Sequence, residues 1–250
     1  MQSRILKNSL KILIFILCLN SCAPSKKEQW QTLFNGRDLE GWSVKCSDGN
    51  LDFWSVENGV LVANSLGRTD HDYNWLQSER EFTDFELKFS FQVFPEVTGN
   101  AGLQFRSRWD PQAQVQWKDS MLTGWLDGPQ ADINPSGPWR NGLIYDETRG
   151  HQRWISPSLE NWVIDSASYT PARVIQHPAP RWNEMVISCW GTRIQTKVNG
   201  ILITDYDGEG VLNDEFHTKY KVGMQGHIAF QIHRANEVHV RFKDIKIKEL

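Results

Sequence analysis

The sequence predicts an all-β chain folded as a two-sheet antiparallel sandwich or jelly roll. Period-two alternation recurs along it: Phe85, Leu87, Phe89, Phe91 and Val93 interleave with Glu86, Lys88, Ser90 and Gln92, as on a strand with one buried face. Asn58-Gly59 and Asn199-Gly200 each separate two alternating runs. Asn-Gly accepts the positive φ that a two-residue hairpin needs at both central positions. No segment longer than a turn or two spaces its apolar residues helically, and 250 residues are enough for one large sandwich.

The first residues stand outside that domain. Arg4, Lys7 and Lys11 precede the apolar run Ile12 to Leu19, and Leu19-Asn20-Ser21-Cys22 follows. This three-part order predicts an export signal too short for a stable bilayer span. Its end resembles a bacterial lipoprotein signal, with Cys22 acylated as the mature N-terminus. A plain signal peptide or a re-entrant core segment are the alternatives. On the leading reading residues 1–21 are the signal, 22–29 a tether and 30–250 a single domain. The protein is then exported and lipid-anchored in the cell envelope, meeting the membrane through that anchor only. Removing residues 1–21 takes three basic groups and no acidic ones, which moves the net charge from −3 to −6. Mildly acidic, interspersed charge without basic runs excludes a nucleic-acid footprint. Cys46 and Cys189 remain; export allows a disulfide, and two buried thiols fit equally well.

Along the domain, Trp54 to Glu57 and Val60 to Ala63 form one hairpin. Phe85 to Val93 forms a long strand. In "NAGLQFRSRWDPQAQVQWKDS" (100–120), two alternating runs meet at Asp110-Pro111, which predicts two half-buried strands joined by a turn. The stretch from Leu122 to Arg181 is rich in proline and aromatic residues. It predicts long irregular loops around 120–140 and 149–181, of the kind that carry function. Further strands follow at Met185 to Cys189, Ile194 to Val198, Ile201 to Asp205, Ile228 to Ile232 and Val238 to Ile247. In the last, apolar residues shift from even positions (Val238, Val240, Phe242) to odd ones (Ile245, Ile247), so a β-bulge is expected near Lys243-Asp244.

Three groups of residues suggest chemistry. Gln104, Arg106, Gln114 and Gln116 line polar strand faces with planar donor and acceptor forks suited to vicinal hydroxyls. Twelve tryptophans supply flat apolar faces for sugar C–H surfaces. "GHIAFQIHRANEVHVRF" puts Ala229, Gln231 and His233 on one face, and "NGLIYDETRG" ends a short strand in Tyr145, Asp146 and Glu147. These point to a saccharide ligand, although core tryptophans and solvated glutamines would look the same. The laminarinase-like E-x-D-x-x-E strand, G-x-S-x-G and H-E-x-x-H are all missing. An ordinary two-carboxylate glycosidase therefore finds no obvious residues here.

Eight collinear segments resemble the 3-keto-disaccharide hydrolase family: "LFNGRDLEGW", "FWSVENGVLV", "FTDFELKFSFQV", "GNAGLQFRS", "QVQWKD", "NGLIYDE", "RWNEMVI" and "GHIAFQIH…VRFKDIKIK". The resemblance implies a concanavalin A-like jelly roll acting on glycosides oxidised to a ketone at C3. That carbonyl acidifies the C2 proton, and the enolate expels the C1 substituent by elimination, after which water can add back. Such a site needs a base at C2, a stabiliser of the enolate oxygen (a divalent metal could serve) and an acid at the leaving oxygen. The resemblance further implies His233 as acid or base, with Asp146 or Glu147 as a second proton-transfer group. Arg106 and Gln116 would hold the ketone or hydroxyls, and Trp125 or Trp139 would stack on the sugar. Asn100, Asp119, Tyr145, Gln231 and Arg241 match the family pattern, whereas Gln114 stands where the family has Glu. The sequence thus predicts a 3-keto-glycoside-cleaving lipoprotein, with a non-catalytic glycan-binding lipoprotein as the alternative.

Overall fold

A computed structural model describes residues 29–157, 159 and 176–250. The signal, Cys22 and most of the 149–181 stretch fall outside them. The strands in chain order are Gln31–Thr32 (β1), Trp42–Cys46 (β2), Trp54–Glu57 (β3), Val60–Asn64 (β4), Asn74–Phe82 (β5) and Phe85–Val93 (β6). Then come Ala101–Trp117 (β7), Ser120–Asp127 (β8), Pro129–Ile133 (β9), Ile144–Asp146 (β10) and Arg153–Ser156 (β11). Asn183–Trp190 (β12), Arg193–Val198 (β13), Ile201–Asp207 (β14), the helix Glu215–Tyr220 (α1), Gly226–Ile232 (β15) and His239–Glu249 (β16) complete the order.

One sheet runs β14-β13-β12-β6-β16-β4-β3, with β1 beside β16. The other runs β11-β10-β9-β7-β15-β5-β2, with β8 beside β7. All strand pairs are antiparallel, as the alternating patterns require. The apolar face of β6 meets Leu76, Leu103, Phe105, Ile133, Phe230 and Ile232 of the facing sheet in one core, the two-sheet sandwich that the sequence predicts.

Both Asn-Gly hairpins form, with positive φ at Asn58, Gly59, Asn199 and Gly200. The bulge in β16 forms too. Lys243 pairs with Ser90 and Lys246 with Lys88, Asp244 takes φ 53°, and both Phe242 and Ile245 are buried.

Two expectations need correction. Residues 101–117 are one strand with an irregularity between Asp110 and Gln114, not two strands joined by a turn. Proline is tolerated there because the strand has left the main sheet and pairs only with β8 on that side, so no ladder loses a donor. Residues 120–133 are strands β8 and β9 rather than a loop, and Arg153–Ser156, inside the loop expected at 149–181, is strand β11 paired with β10; composition hid a period-two pattern in Gln130, Ala131, Asp132 and Ile133. Cys46 and Cys189 are both free thiols, on opposite sheets.

Candidate functional site

The second sheet turns polar side chains outward along the same alternation that sends apolar ones to the core. On β15, Ile228, Phe230 and Ile232 point to the core, while Ala229 and Gln231, continued by His233, point away. On β9, Ala131 and Ile133 are core residues, and Gln130 and Asp132 face out. Tyr145 and Glu147 flank Asp146 and project on the outer side. The ribbon of β7 and β8 covers one end of this face. Beneath it Tyr73, Trp75, Trp125, Val115 and Leu122 form a second apolar cluster, with Trp117 packed against it.

These elements enclose a cavity of about 170 Å3, roughly one sugar ring, lined by Tyr73, Asn100, Trp117, Gln130, Asp132, Arg140, Tyr145, Glu147 and His233. Gly102 forms part of its supporting strand. A Cβ there would lie 2.4 Å from Cδ of Gln130, so only glycine lets that side chain lie across β7.

The imidazole of His233 has a defined tautomer. Its Nδ1 lies 2.9 Å from the Arg234 carbonyl and donates to it, which leaves Nε2 to accept from the Tyr73 hydroxyl at 2.9 Å. Burial pushes its pKa down to about 4, so it is neutral near pH 7. Burial pushes the Tyr73 hydroxyl up, keeping it protonated. Glu147 behaves oppositely: burial, reinforced by the carboxylates of Asp146, Asp132 and Asp127, raises it to about 8 against a single hydrogen bond from Gln231. Its backbone is held by the Trp125 indole, which donates to its carbonyl at 2.7 Å, and by its own N–H on Gly128 O. Asp132 is raised to about 6 by burial, opposed by Arg140, whose Nε lies 2.7 Å from Oδ2 but off the hydrogen-bond line. Buried Oδ1 of Asn100, Oε1 of Gln130 and Oε1 of Gln231 accept no hydrogen bond among the described residues. A saccharide's hydroxyl groups would satisfy them.

Of the residues predicted from sequence, Asn100, Tyr145, Glu147 and His233 converge here, with Gln231 bonded to Glu147. The others are placed elsewhere. Arg106 is the extra residue of a bulge in β7, where Gln104 pairs with Ala229 and Ser107 with His227. At φ 49° its side chain leaves the cleft face and is completely buried, donating to the Thr83, Gly191 and Gly223 carbonyls and to Asp84. Gln114 and Gln116 point out of the ribbon's exposed face, bonded to Thr123 and to the Lys118 carbonyl, because Val115 and Trp117 take the inner one. Asp119 is exposed in the β7–β8 turn. Trp125 lies under the cavity and braces Glu147 rather than presenting a stacking face. Trp139 packs beside Leu143 and Trp154. Arg241 lies on the other sheet, over the Phe94 ring. Asp146 faces away from the cavity, toward His217.

Sequence reasoning missed Tyr73, Trp117, Gln130, Asp132 and Arg140. The alternation in 130–133 could have revealed two of them. Tyr73 and Arg140 carry no local signal, since Tyr73 precedes β5, Arg140 ends the 3-10 turn Pro138–Arg140, and both reach the cavity only through tertiary folding. Among the described residues, the cavity holds no group of three metal-ligating side chains.

The outer face of a two-sheet sandwich thus carries a polar cavity with two buried acids, Glu147 and Asp132, and one neutral imidazole. The chain belongs to the 3-keto-alpha-glucoside-1,2-lyase-like domain family, whose model matches residues 29–248, and its function is therefore carbohydrate-related. No curated protein matches it. Among solved structures, it is similar to a Parabacteroides distasonis protein provisionally assigned as a glycosyl hydrolase. That match has 20% identity, 89% of this chain and 95% of the other covered, and a TM-score of 0.58. A Bacillus subtilis protein of unknown function with a galectin-like fold matches at 13% identity, 88% and 94% coverage and TM-score 0.54. The carbohydrate-binding module CBM66 of Bacillus subtilis matches at 12% identity, 83% and 95% coverage and TM-score 0.52. At these identities the structures establish the fold alone.

Proposed function

We propose that the protein cleaves 3-keto-glycosides in this cavity by elimination across C1–C2, followed by addition of water or release of the unsaturated ketone. The observation that carries the reading is the opposite displacement of two groups lining one cavity, Glu147 up to about 8 and His233 down to about 4. Near neutral pH one is then a proton donor and the other a proton acceptor, the pair that β-elimination needs. Neutral His233 takes the C2 proton on Nε2, displacing the Tyr73 hydroxyl, which can turn to the substrate. The electron pair moves onto the C3 oxygen as an enolate, where the Arg140 guanidinium provides positive charge. When the enolate collapses, the C1–O bond breaks, and Glu147 delivers its proton to the departing oxygen. The products are the unsaturated 3-ketosugar and the free aglycone. Glu147 is left as carboxylate and His233 as imidazolium, ready to exchange protons with water or to add water in reverse.

Family membership supports the substrate class, and the acid–imidazole pair supports the reaction. The test is to incubate purified protein with a 3-keto-glucoside and follow aglycone release, alongside Glu147→Gln and His233→Asn. Release that both substitutions suppress supports the proposal. Calorimetric binding of the same sugar without release would make the protein a glycan-binding module instead. The lipid-anchored envelope location stays part of the proposal, tested by radiolabelled fatty-acid incorporation in the wild type and in Cys22→Ser.

A further inference from the structure

Asp146 points away from the sugar cavity because its neighbours Tyr145 and Glu147 point toward it. On that opposite side it meets His217 of α1 and, across the turn at 148–151, His151. One ligand atom from each of these three residues lies within 4.8 Å of the others. Asp146 and His217 are completely buried, and His151 is half-buried. Oδ2 of Asp146 makes no hydrogen bond and lies 3.4 Å from Nε2 of His217. A hydrogen-bonded network complete in itself would leave no such buried carboxylate oxygen without a donor.

The surroundings are those of metal ligands. Asp214 caps the helix and accepts from Nδ1 of His217 at 2.9 Å, and its other oxygen bonds Nε2 of His151. With Asp214 on Nδ1, Nε2 is the nitrogen that His217 turns toward Asp146, and a metal ion there would replace the proton that the two carboxylates favour on the ring. Thr148 Oγ1, 3.2 Å from the same Nε2, is the remaining polar neighbour. The 3.4 Å separation of Nε2 and Oδ2 equals the ligand–ligand edge of a tetrahedron with bonds of about 2.1 Å, the zinc–nitrogen and zinc–oxygen distance. His217 also lines an open hollow of about 370 Å3, and His151 is the one of the three that reaches solvent.

We infer that Asp146, His151 and His217 form a binding site for a divalent transition-metal ion of the zinc class, with Asp214 orienting both imidazoles. Two imidazoles and one carboxylate disfavour calcium and magnesium, which prefer all-oxygen shells. The site joins the turn that follows Glu147 to helix α1. The inference does not depend on the proposed reaction.

The test uses chelator-stripped full-length protein titrated calorimetrically with Zn2+, and with Co2+ followed by its visible absorption. The expected result is one Zn2+ per chain, a higher melting temperature with Zn2+, and Co2+ bands of a low-coordinate nitrogen–oxygen site. Affinity should fall at least about a hundred-fold in Asp146→Asn and in His151→Gln. Millimolar Mg2+ should not compete. If Asp146→Asn fails to fold, His151→Gln still decides, since that ring is at a half-buried turn. Absence of stoichiometric binding, or affinity unchanged by the substitutions, overturns the inference.

Discussion

At Arg106, one guanidinium gathers the carbonyls of Thr83, Gly191 and Gly223 and the carboxylate of Asp84 from three separate loops. Removing it deletes a completely buried side chain and its four hydrogen bonds. Only the bond to the Gly223 carbonyl ends on a buried residue, while Thr83, Gly191 and Asp84 reach solvent, so Arg106→Ala should cost about 1–3 kcal/mol in denaturant unfolding. Lysine cannot reproduce the fork and should restore only part of that. Sugar affinity measured well below the melting point should change little. A large affinity loss without a stability loss would return Arg106 to the cleft. Glu147 works through its proton. Activity should fall on the acid side as His233 protonates near pH 4, and on the alkaline side as Glu147 ionises near pH 8. Glu147→Gln should remove the alkaline limb and lower kcat/KM by about 10²–10⁴-fold for alcohol leaving groups, with a much smaller loss for a nitrophenolate that leaves without protonation. A pH–rate profile on both substrates checks this; an equal loss on both would exclude Glu147 as the acid.

The β7–β8 ribbon is the element that makes the outer face a cavity. Its inner side carries Val115 and Trp117, and Trp117 meets Tyr73 edge-on at 5.7 Å and His233 at 5.8 Å. Trp117→Ala should open that wall and weaken saccharide binding by about 1–3 kcal/mol, raising KM more than it lowers kcat, because the indole lines the cavity and has no proton to transfer in the proposed reaction. Titration of the sugar against both proteins measures it. The ribbon also marks where reading the sequence stopped working. The bulge in β16 was legible because the apolar residues themselves change parity between Phe242 and Ile245. The bulge in β7 was not, because Phe105 keeps its parity and only the polar Arg106 is displaced, so nothing apolar recorded the extra residue. At Asp110-Pro111 the proline signal was real, but its meaning depended on which strand lay alongside.

For the whole molecule, alternation and Asn-Gly turns reveal the sandwich because each core residue must satisfy the same period. The cavity has no such constraint: Tyr73, Asn100, Asp132, Glu147 and His233 come from five places in the chain and are joined only by the curvature of the sheet. Assembling them confers a shared liability, because folding buries an acid and an imidazole in their neutral forms. Glu147 has its pKa raised from an ordinary 4.5 to about 8. Its contribution to stability is therefore fully present below pH 4.5 and is lost as pH rises to 8, where the unfolded chain ionises and the folded one resists. Asp132, raised from 3.8 to about 6, acts in the same direction over that lower window. His233 runs the other way: lowered from 6.5 to about 4, it favours the fold above pH 6.5 and loses that advantage as pH falls toward 4. Glu147→Gln removes only the first of these. It should match wild type in urea unfolding at pH 4, become more stable than wild type as pH rises, and hold a constant margin of a few kcal/mol above pH 8. A difference that does not vary with pH would mean that the fold does not hold Glu147 neutral, and the proposed acid would lose its physical basis.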